Sequence, residues 1–367
     1  MAGEEDLLYI CALSVALRYQ GNVSKKLIDY YGSAREVLAQ SESELSRHKG
    51  IGRELAAAVR DPRTLETAQK ELQWAASKKI RVIPYFSPAY PALLAECPDA
   101  PALLFAVGAL DLNGGPFLSV VGTRSATLQG KEMCRQLIDG LARTGLRPVI
   151  VSGLAYGIDG CAHRAALDNG LPTLAVLPVG VDRIYPEGHR NLAVEICRTG
   201  AVLSEFPSGT EGHRHNFLQR NRIIAGISQA TLVVESKQDG GSLITAHFAC
   251  DYGREVLAVP GRPCDSTSMG CNRLIHDNKA ALVCSPEDLA FALGWKPVPD
   301  PAPQSLFDSL TDTEKRVLAH ISEHGGHLNS ICRSLDIPVP ELSALLTQLE
   351  LRGIVRVLPN KEYSLPL

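Results

Sequence analysis

A chain of 367 residues, 45% of them hydrophobic, is long enough at roughly 150 residues per domain to build two or three domains with substantial cores. Its net charge of −3 excludes a global basic field, so a polyanionic partner would need a local cluster of cations. Ten cysteines are scattered without any Cys-x-x-Cys, no apolar run approaches the roughly 20 residues that cross a bilayer, and the start Met-Ala-Gly-Glu-Glu-Asp is too acidic for a signal peptide. These features predict a cytoplasmic protein with reduced thiols, no membrane partner, no metal and no cofactor.

Residues 7–76 carry short runs of apolar residues at helical spacing, separated by Gly, Asn, Ser or Pro, and predict a small all-helical domain over 1–79. Within it, Lys49-Gly50-Ile51-Gly52 before Arg53-Glu54-Leu55-Ala56 looks like the turn of a helix-hairpin-helix, whose backbone N–H groups can hold a phosphate; a plain tight turn between packed helices would read the same way. Residues 80–116 hold six prolines from Pro84 onward and read as an irregular bridge.

From 117 to 295, strand and helix patterns alternate. The predicted strands are Phe117–Val121, Pro148–Val151, Thr173–Leu177, Val202–Phe206, Thr231–Glu235, Glu255–Val259 and Ala281–Val283, joined by helices, which is the rhythm of a doubly wound, mostly parallel sheet in an α/β domain spanning 80–296. Small residues follow nearly every strand: Gly122-Thr123-Arg124-Ser125, Ser152-Gly153-Leu154-Ala155, Pro178-Val179-Gly180 and Lys237-Gln238-Asp239-Gly240-Gly241-Ser242. Such turns let a ligand approach the main chain closely, and several side by side make a groove at the carboxyl ends of the strands. Arg220, Arg222 and Lys237 add cations there, with Arg220 and Arg222 read as opening a helix, so the expected ligand is rich in phosphate.

Known nucleotide signatures are missing. The first turn has no Gly-x-Gly-x-x-Gly and no Walker-type lysine loop occurs, which argues against NAD and P-loop chemistry. Asp159 and His163 lie four apart with Ser152 upstream, but Val-Ser-Gly-Leu-Ala is not a nucleophile elbow. His213 and His215, and separately His320, His324 and His327, lack carboxylate or thiol partners at ligand spacing and read as surface histidines.

After Trp295, a stiff Pro-rich linker covers 297–310, and 311–367 reads as a winged helix: Thr311–Glu323 with a capping box to Glu314, His327–Leu335, Pro340–Arg352, and a hairpin of Ile354–Leu358 and Glu362–Leu365 turning at Pro359-Asn360. Its recognition helix carries two glutamates and one arginine, poor chemistry for a phosphate-lined groove, so a protein-interaction role is expected of it.

Taken together, Val121-Gly122-Thr123-Arg124, Ser152-Gly153-Leu154-Ala155-x-Gly157-Ile158-Asp159, Tyr185-Pro186, Phe217-x-x-Arg220-Asn221-Arg222, Gly241-Ser242-Leu243-Ile244-Thr245-Ala246 and Gly270-x-Asn272-x-Leu274-Ile275 resemble the DNA-processing protein A family, also called DprA or Smf. The resemblance implies an extended Rossmann-like sheet domain that binds single-stranded DNA, protects it and loads the RecA recombinase in natural transformation, without enzymatic chemistry. It further implies a homodimer paired near Cys271–Val283. The DNA-binding set it marks comprises Gly122, Arg124, Ser152, Gly153, Phe217, Arg220, Asn221, Arg222, Lys237, Gly241 and Ser242. Two departures stand out: Gly240 replaces a usual serine, and Asn278-Lys279-Ala280 replaces a usual Gly-Ala. For Arg220 and Arg222 the competing role is a salt bridge to Glu205 or Glu235, and for Phe217 a hydrophobic contact that docks its helix. Two other readings remain open at this stage: a nucleotide-hydrolysing enzyme using the same pocket, and a duplex-DNA-binding regulator.

Overall fold

The computed structural model describes residues 2–18, 21–295, 311–324, 326–351, 355–357 and 362–364. The chain divides into two compact units, Met1–Val298 and Pro299–Leu367. The linker predicted over 297–310 and the turn at Pro359-Asn360 lie outside the described residues. No helix among the described residues is long and apolar enough to cross a membrane.

The first unit is built on a nine-stranded sheet in the order β1-β2-β6-β5-β4-β3-β7-β8-β9. In chain order the strands are β1 (Arg81–Pro84), β2 (Leu103–Gly108), β3 (Phe117–Val121), β4 (Val149–Ser152), β5 (Thr173–Val176), β6 (Ala201–Ser204), β7 (Ala230–Val233), β8 (Glu255–Ala258) and β9 (Ala281–Leu282). Strands β3 to β9 run parallel to one another, while β2, near one edge, pairs antiparallel with both β6 and the edge strand β1. Strand β3 is buried along its whole length, as a continuous apolar run covered on both faces should be. Its one polar residue, Ser119, donates to the Ile224 carbonyl at 2.6 Å and sits 2.7 Å from the Ser228 hydroxyl, so burial leaves it satisfied.

The segment expected to be an irregular bridge instead supplies β1 and β2. Proline tolerates this edge position because Pro84 ends β1, where no further ladder N–H is needed. Strand β2 also joins the helical segment to the sheet. Leu103 and Phe105 face one side and pack into the core of the N-terminal helices, whereas Leu104 and Ala106 face the other and join the main sheet core. The predicted helical segment forms six helices, from Ala2–Ala16 to Pro62–Ser77, and they share this core rather than standing apart. Gly52 caps the helix Arg53–Arg60 without a side-chain bond, following a turn in which Gly50 takes φ +97°.

Helices cover the sheet with the faces their sequences dictate. Leu128–Arg143 starts at Thr127, whose hydroxyl accepts from the Gly130 N–H at 3.0 Å, and buries Cys134, Leu137, Ile138 and Leu141 at i, i+3, i+4 and i+7. Gly226 closes the helix Arg214–Gly226 against Cys97 and Leu94, where an added Cβ would come within 2.9 Å of both side chains. Asn278 takes φ +53°, a left-handed position where asparagine stands in for glycine, so the departure at 278–280 keeps a turn there.

The second unit packs the helices Asp312–His324, Leu328–Leu335 and Val339–Leu351 around Val317, Ile331, Leu342, Leu346 and Leu349, beside a three-stranded sheet of Gly326–His327, Glu362–Ser364 and Arg356–Val357. The capping box is formed: Thr311 N–H donates to Glu314 Oε2 at 2.7 Å and Glu314 N–H to Thr311 Oγ1 at 3.3 Å. The short strand at 326–327 is an addition to the predicted hairpin.

One glycine fixes the geometry at the strand ends. Gly157 adopts φ +81°, and a Cβ there would lie 2.2 Å from the Thr123 carbonyl oxygen. Gly157→Ala should therefore lower stability by roughly 2 kcal/mol or more. Urea denaturation checks this as a shift in midpoint at constant slope.

Candidate nucleic-acid interface

The chain steps from β3 through β4 and β5 to β6 in one direction across the sheet, then returns to place β7 on the other side of β3. At that reversal the loops after β3 and β7 diverge and leave a crevice. It holds an open cavity of about 670 Å³, lined by the Gly122–Arg124 loop, Lys237 to Ser242, and one face of the helix Arg214–Gly226.

The backbone approaches closely here. A Cβ on Gly122 would lie 2.5 Å from Ile158 Cγ1, and the Thr123 N–H donates to the Glu235 carbonyl at 2.8 Å, tying the two loops together. The helix Gly241–Asp251 starts at Gly240 with no side-chain capping bond; the Leu243 N–H donates to the Gly240 carbonyl at 3.0 Å, and Gly241 and Ser242, the two residues before it, line the cavity. A Cβ on Gly241 would meet nothing within 4 Å, leaving that approach open. A Cβ at 240 would lie 2.2 Å from the Ser236 hydroxyl oxygen, so glycine fits this turn where a side chain would crowd it. Ser242 donates its hydroxyl to Ser236 at 2.8 Å, so its contribution to the cavity is its backbone.

Four cations line the cavity: Arg124, Arg214, Arg220 and Lys237. Arg124 and Lys237 are exposed, and the Arg124 guanidinium lies 4.8 Å from the centre of the Phe217 ring. The other side of Phe217 meets Tyr185 edge-on at 5.2 Å between centroids, and Tyr185 is 42% exposed. Phe217 is thus a half-buried aromatic surface held between a cation and a second ring. Arg220 is buried, donates Nη1 to the Val176 carbonyl at 2.8 Å, and occupies the space over Gly153, where any Cβ would collide with it. Burial lowers its pKa to about 10 against the pull of Asp159. Asn221 reaches toward the Gly241 carbonyl at 3.5 Å, bridging the two helices that flank the cavity.

Three of the expected site residues stand elsewhere. Arg222 and Arg220 are two apart on the middle of a helix that begins at Arg214, not at its opening, so they point to opposite sides. Arg222 pairs with Glu205 and donates to the Asp99 carbonyl, its side chain only 7% exposed and its partner's 1%. It is a buried ion pair holding the helix to β6 and the segment before β2, away from the cavity. Ser152 is fully buried and donates its hydroxyl to the Val120 carbonyl at 2.6 Å. Gly153 lies beneath Arg220, and its N–H serves the Asp159 carboxylate. The sequence reading passed over Arg214, exposed and lining the cavity, and Tyr185, which was noted as a motif but not as a ring beside Phe217. The cation of a His-Arg-His run just before the predicted helix was the available signal for Arg214.

Asp159 and His163 do not bond to each other. Asp159 accepts from the Ala155 N–H at 3.3 Å, and burial pushes its carboxyl up despite Arg220. His163 Nδ1 contacts the Thr173 hydroxyl at 2.7 Å, and the Thr173 hydroxyl donates a hydrogen bond to the Ile150 carbonyl at 2.7 Å. Burial, with His189 and Arg220 nearby, holds the His163 pKa down to about 3, so the imidazole is neutral. No cluster of three metal-ligating side chains occurs among the described residues.

Fold and cleft define an open α/β protein with a cation-lined groove at its topological switch point, followed by a smaller helical unit with a β-wing. The chain belongs to the DNA recombination-mediator protein A family, whose model matches residues 81–294, and the DprA winged helix domain matches residues 296–361. It is 34% identical to Protein Smf of Synechocystis sp. over 76% of this chain and 78% of that one. The X-ray structure of DNA processing protein A from Streptococcus pneumoniae superposes with a TM-score of 0.63 at 34% identity, covering 76% of this chain and 97% of that one. DNA processing protein A from Helicobacter pylori, described for its single-stranded DNA binding mode, superposes with a TM-score of 0.53 at 27% identity, covering 59% and 95%.

Two outcomes test the buried groups. Arg222→Ala leaves Glu205 charged and unpaired in the interior and should cost roughly 3 kcal/mol or more, read as a fall in Tm. For His163, the folded pKa lies below the unfolded value of about 6.5, so the unfolded chain takes up a proton that the folded chain refuses, and stability should fall as pH drops below about 6.5. Asp159 and Glu205, pushed up by burial, act in the opposite sense as pH falls, so the informative quantity is a difference between chains. His163→Gln should make Tm decline less than in the wild type between about pH 7 and pH 5.

Proposed function

We propose that the chain binds single-stranded DNA in this cleft and acts as a recombination mediator, protecting incoming strands and delivering them to a RecA-type recombinase during natural transformation. The observation that carries this reading is the combination, in one crevice, of an uncapped helix N-terminus, four cations, and Phe217 framed by Arg124 and Tyr185. Phosphates are served by the N–H groups and cations; an unstacked base is served by the ring, a contact worth roughly 1 to 3 kcal/mol. Neither contact reads base identity, so the cleft takes backbone and π-face rather than sequence. The Helicobacter pylori relative, with its described single-strand binding mode, supports the assignment. The site residues of this reading are Gly122, Arg124, Arg214, Phe217, Arg220, Asn221, Lys237, Gly241 and Ser242, with no catalytic group among them.

The protein is proposed to work as a homodimer joined near the last sheet elements, where Leu282 of the edge strand β9 is half exposed and Phe291 is 89% exposed. Light scattering showing only monomer at micromolar concentrations, with DNA binding intact, would refute that assembly. The acidic recognition helix of the second unit is assigned to protein contacts.

Three phosphates neutralised by the exposed Arg124, Arg214 and Lys237 give a slope of log K against log salt of roughly −2 for single strands, at about −0.7 per phosphate. Arg124→Ala should flatten the slope by about 0.7 and weaken binding alike for different base sequences, while Arg222→Ala should leave the slope unchanged. Unaltered slopes in both Arg124→Ala and Lys237→Ala proteins would move the site out of this cleft. Release of base or phosphate from nucleotides by the purified protein would favour a hydrolase instead, and tighter binding of duplex than of single strands would favour a duplex regulator.

A further inference from the structure

Beyond Phe217, aromatic side chains continue along the rim of the cleft. Tyr156 follows Ala155, which lines the cavity, and precedes Gly157, whose backbone packs against the Thr123 and Arg124 carbonyls. The Tyr156 ring meets the His189 imidazole edge-to-face, with 4.8 Å between centroids and 71° between planes. His189 is itself anchored. Its Nδ1 lies 2.8 Å from the Leu154 carbonyl oxygen, and because a carbonyl only accepts, Nδ1 must carry a proton there. Gly188 leaves room for the tyrosine, since a Cβ at that position would come within 2.8 Å of the Tyr156 hydroxyl. Tyr156 is still 53% exposed, so the ring is supported on one side and open on the other.

A single short segment serves both aromatic pairs. Tyr185 stands against Phe217 and His189 against Tyr156, and four residues of chain separate Tyr185 from His189, a span of at most about 14 Å even if fully extended. A few unstacked nucleotides can bridge that distance.

We propose that Tyr156, backed by His189, is a second stacking platform for a nucleobase of the strand whose phosphates occupy the cleft. The inference rests on the single-strand reading above and adds a direction to it. From the Phe217 ring the strand runs over the carboxyl ends of β4 and β5, past the segment Tyr185–His189, to Tyr156.

Stacking rather than charge holds the strand at this end. Exposed Arg183 and Arg190 are offset by exposed Glu187 and by Asp182, whose carboxylate lies 3.6 Å from Arg183, so a phosphate gains little net attraction. Every base has a π-face, and a ring already fixed in place loses little freedom when one settles on it. A lone exposed tyrosine needs no functional explanation. What separates Tyr156 from that case is its fixed histidine backing and its place one residue from the cavity lining.

The test measures binding of the full-length wild-type, Tyr156→Ala and Tyr156→Phe proteins to two labelled strands of about 15 nucleotides, near the upper end of single-strand site sizes: oligothymidylate, and a strand of abasic sites that keeps the phosphates without the bases. Tyr156→Ala should weaken oligothymidylate binding roughly tenfold and leave its salt slope unchanged, because a base rather than a phosphate is lost. Tyr156→Phe, which keeps the ring, should stay within about twofold of the wild type. On the abasic strand the wild-type and Tyr156→Ala proteins should bind alike. Three results overturn the proposal. If Tyr156→Ala binds oligothymidylate as tightly as the wild type while Arg124→Ala binds it more weakly, the cleft stands and the platform falls. If Tyr156→Ala loses as much on the abasic strand as on oligothymidylate, the tyrosine only supports the Gly157 loop. If the wild type binds no oligothymidylate, the cleft reading and the platform fall together.

Discussion

The return of the chain from β6 to β7 governs what the molecule can do. Once β3 has neighbours on both sides reached by opposite crossovers, the loops that leave β3 and β7 must part, and no helix can cover the seam between them. The rest of the site answers to that opening. A helix whose N-terminus falls at the seam brings Gly241 and Ser242 to its lining, and Gly240, where a side chain would crowd Ser236, starts that helix without a side-chain cap. Small residues line the opposite wall because Ile158, Glu235 and the Thr123 and Arg124 carbonyls crowd the backbone from behind.

The two arginines of Arg220-Asn221-Arg222 show how helical geometry divides labour within a short motif. Each residue turns the helix by about 100°, so positions two apart lie on nearly opposite faces. Phe217, Arg220, Asn221 and Ile224, at i, i+3, i+4 and i+7, line the cavity; Arg222 must then point inward, where Glu205 and the Asp99 carbonyl receive it. The motif carries a cavity face and a structural anchor in one turn. That division was legible in the spacing, since Phe217 and Arg222 cannot share a face, but the sequence alone did not say which of the two arginines faced the cavity. Burial of a glutamate at the end of β6 decided it.

Other features divide along similar physical lines. Strands β3 to β8 could be read within a residue or two because parallel strands covered on both faces are continuous apolar runs, and nothing else in a short segment produces that pattern. Strands β1 and β2 could not, because they lie among prolines and β2, which carries β1, pairs with β6 about a hundred residues away in the chain. Composition records local preference, whereas an antiparallel edge depends on a distant strand being in place. The same distance hid the Tyr185–Phe217 contact and the way the Glu71 carboxylate accepts from the N–H and hydroxyl of Ser208, which ties the helical segment to the loop before the helix Arg214–Gly226.

Charge at the strand ends completes the argument. Of the carboxylates near the cationic cleft, Asp239 is exposed on its lining, and the others are occupied or silenced. Glu205 is occupied by Arg222, and Glu235 accepts the Thr127 N–H at 2.9 Å. Asp159 accepts backbone N–H bonds while burial pushes it toward its neutral form. Among the described residues, Arg124, Arg214 and Lys237 take part in no ion pair, whereas other surface arginines and lysines do. An anion entering the cleft therefore has no internal pair to break, and its attraction to these side chains is offset only by desolvation. Within a Debye length of about 8 Å at physiological salt the cations act together, so the local cluster, rather than the overall charge, sets the field a polyanion meets.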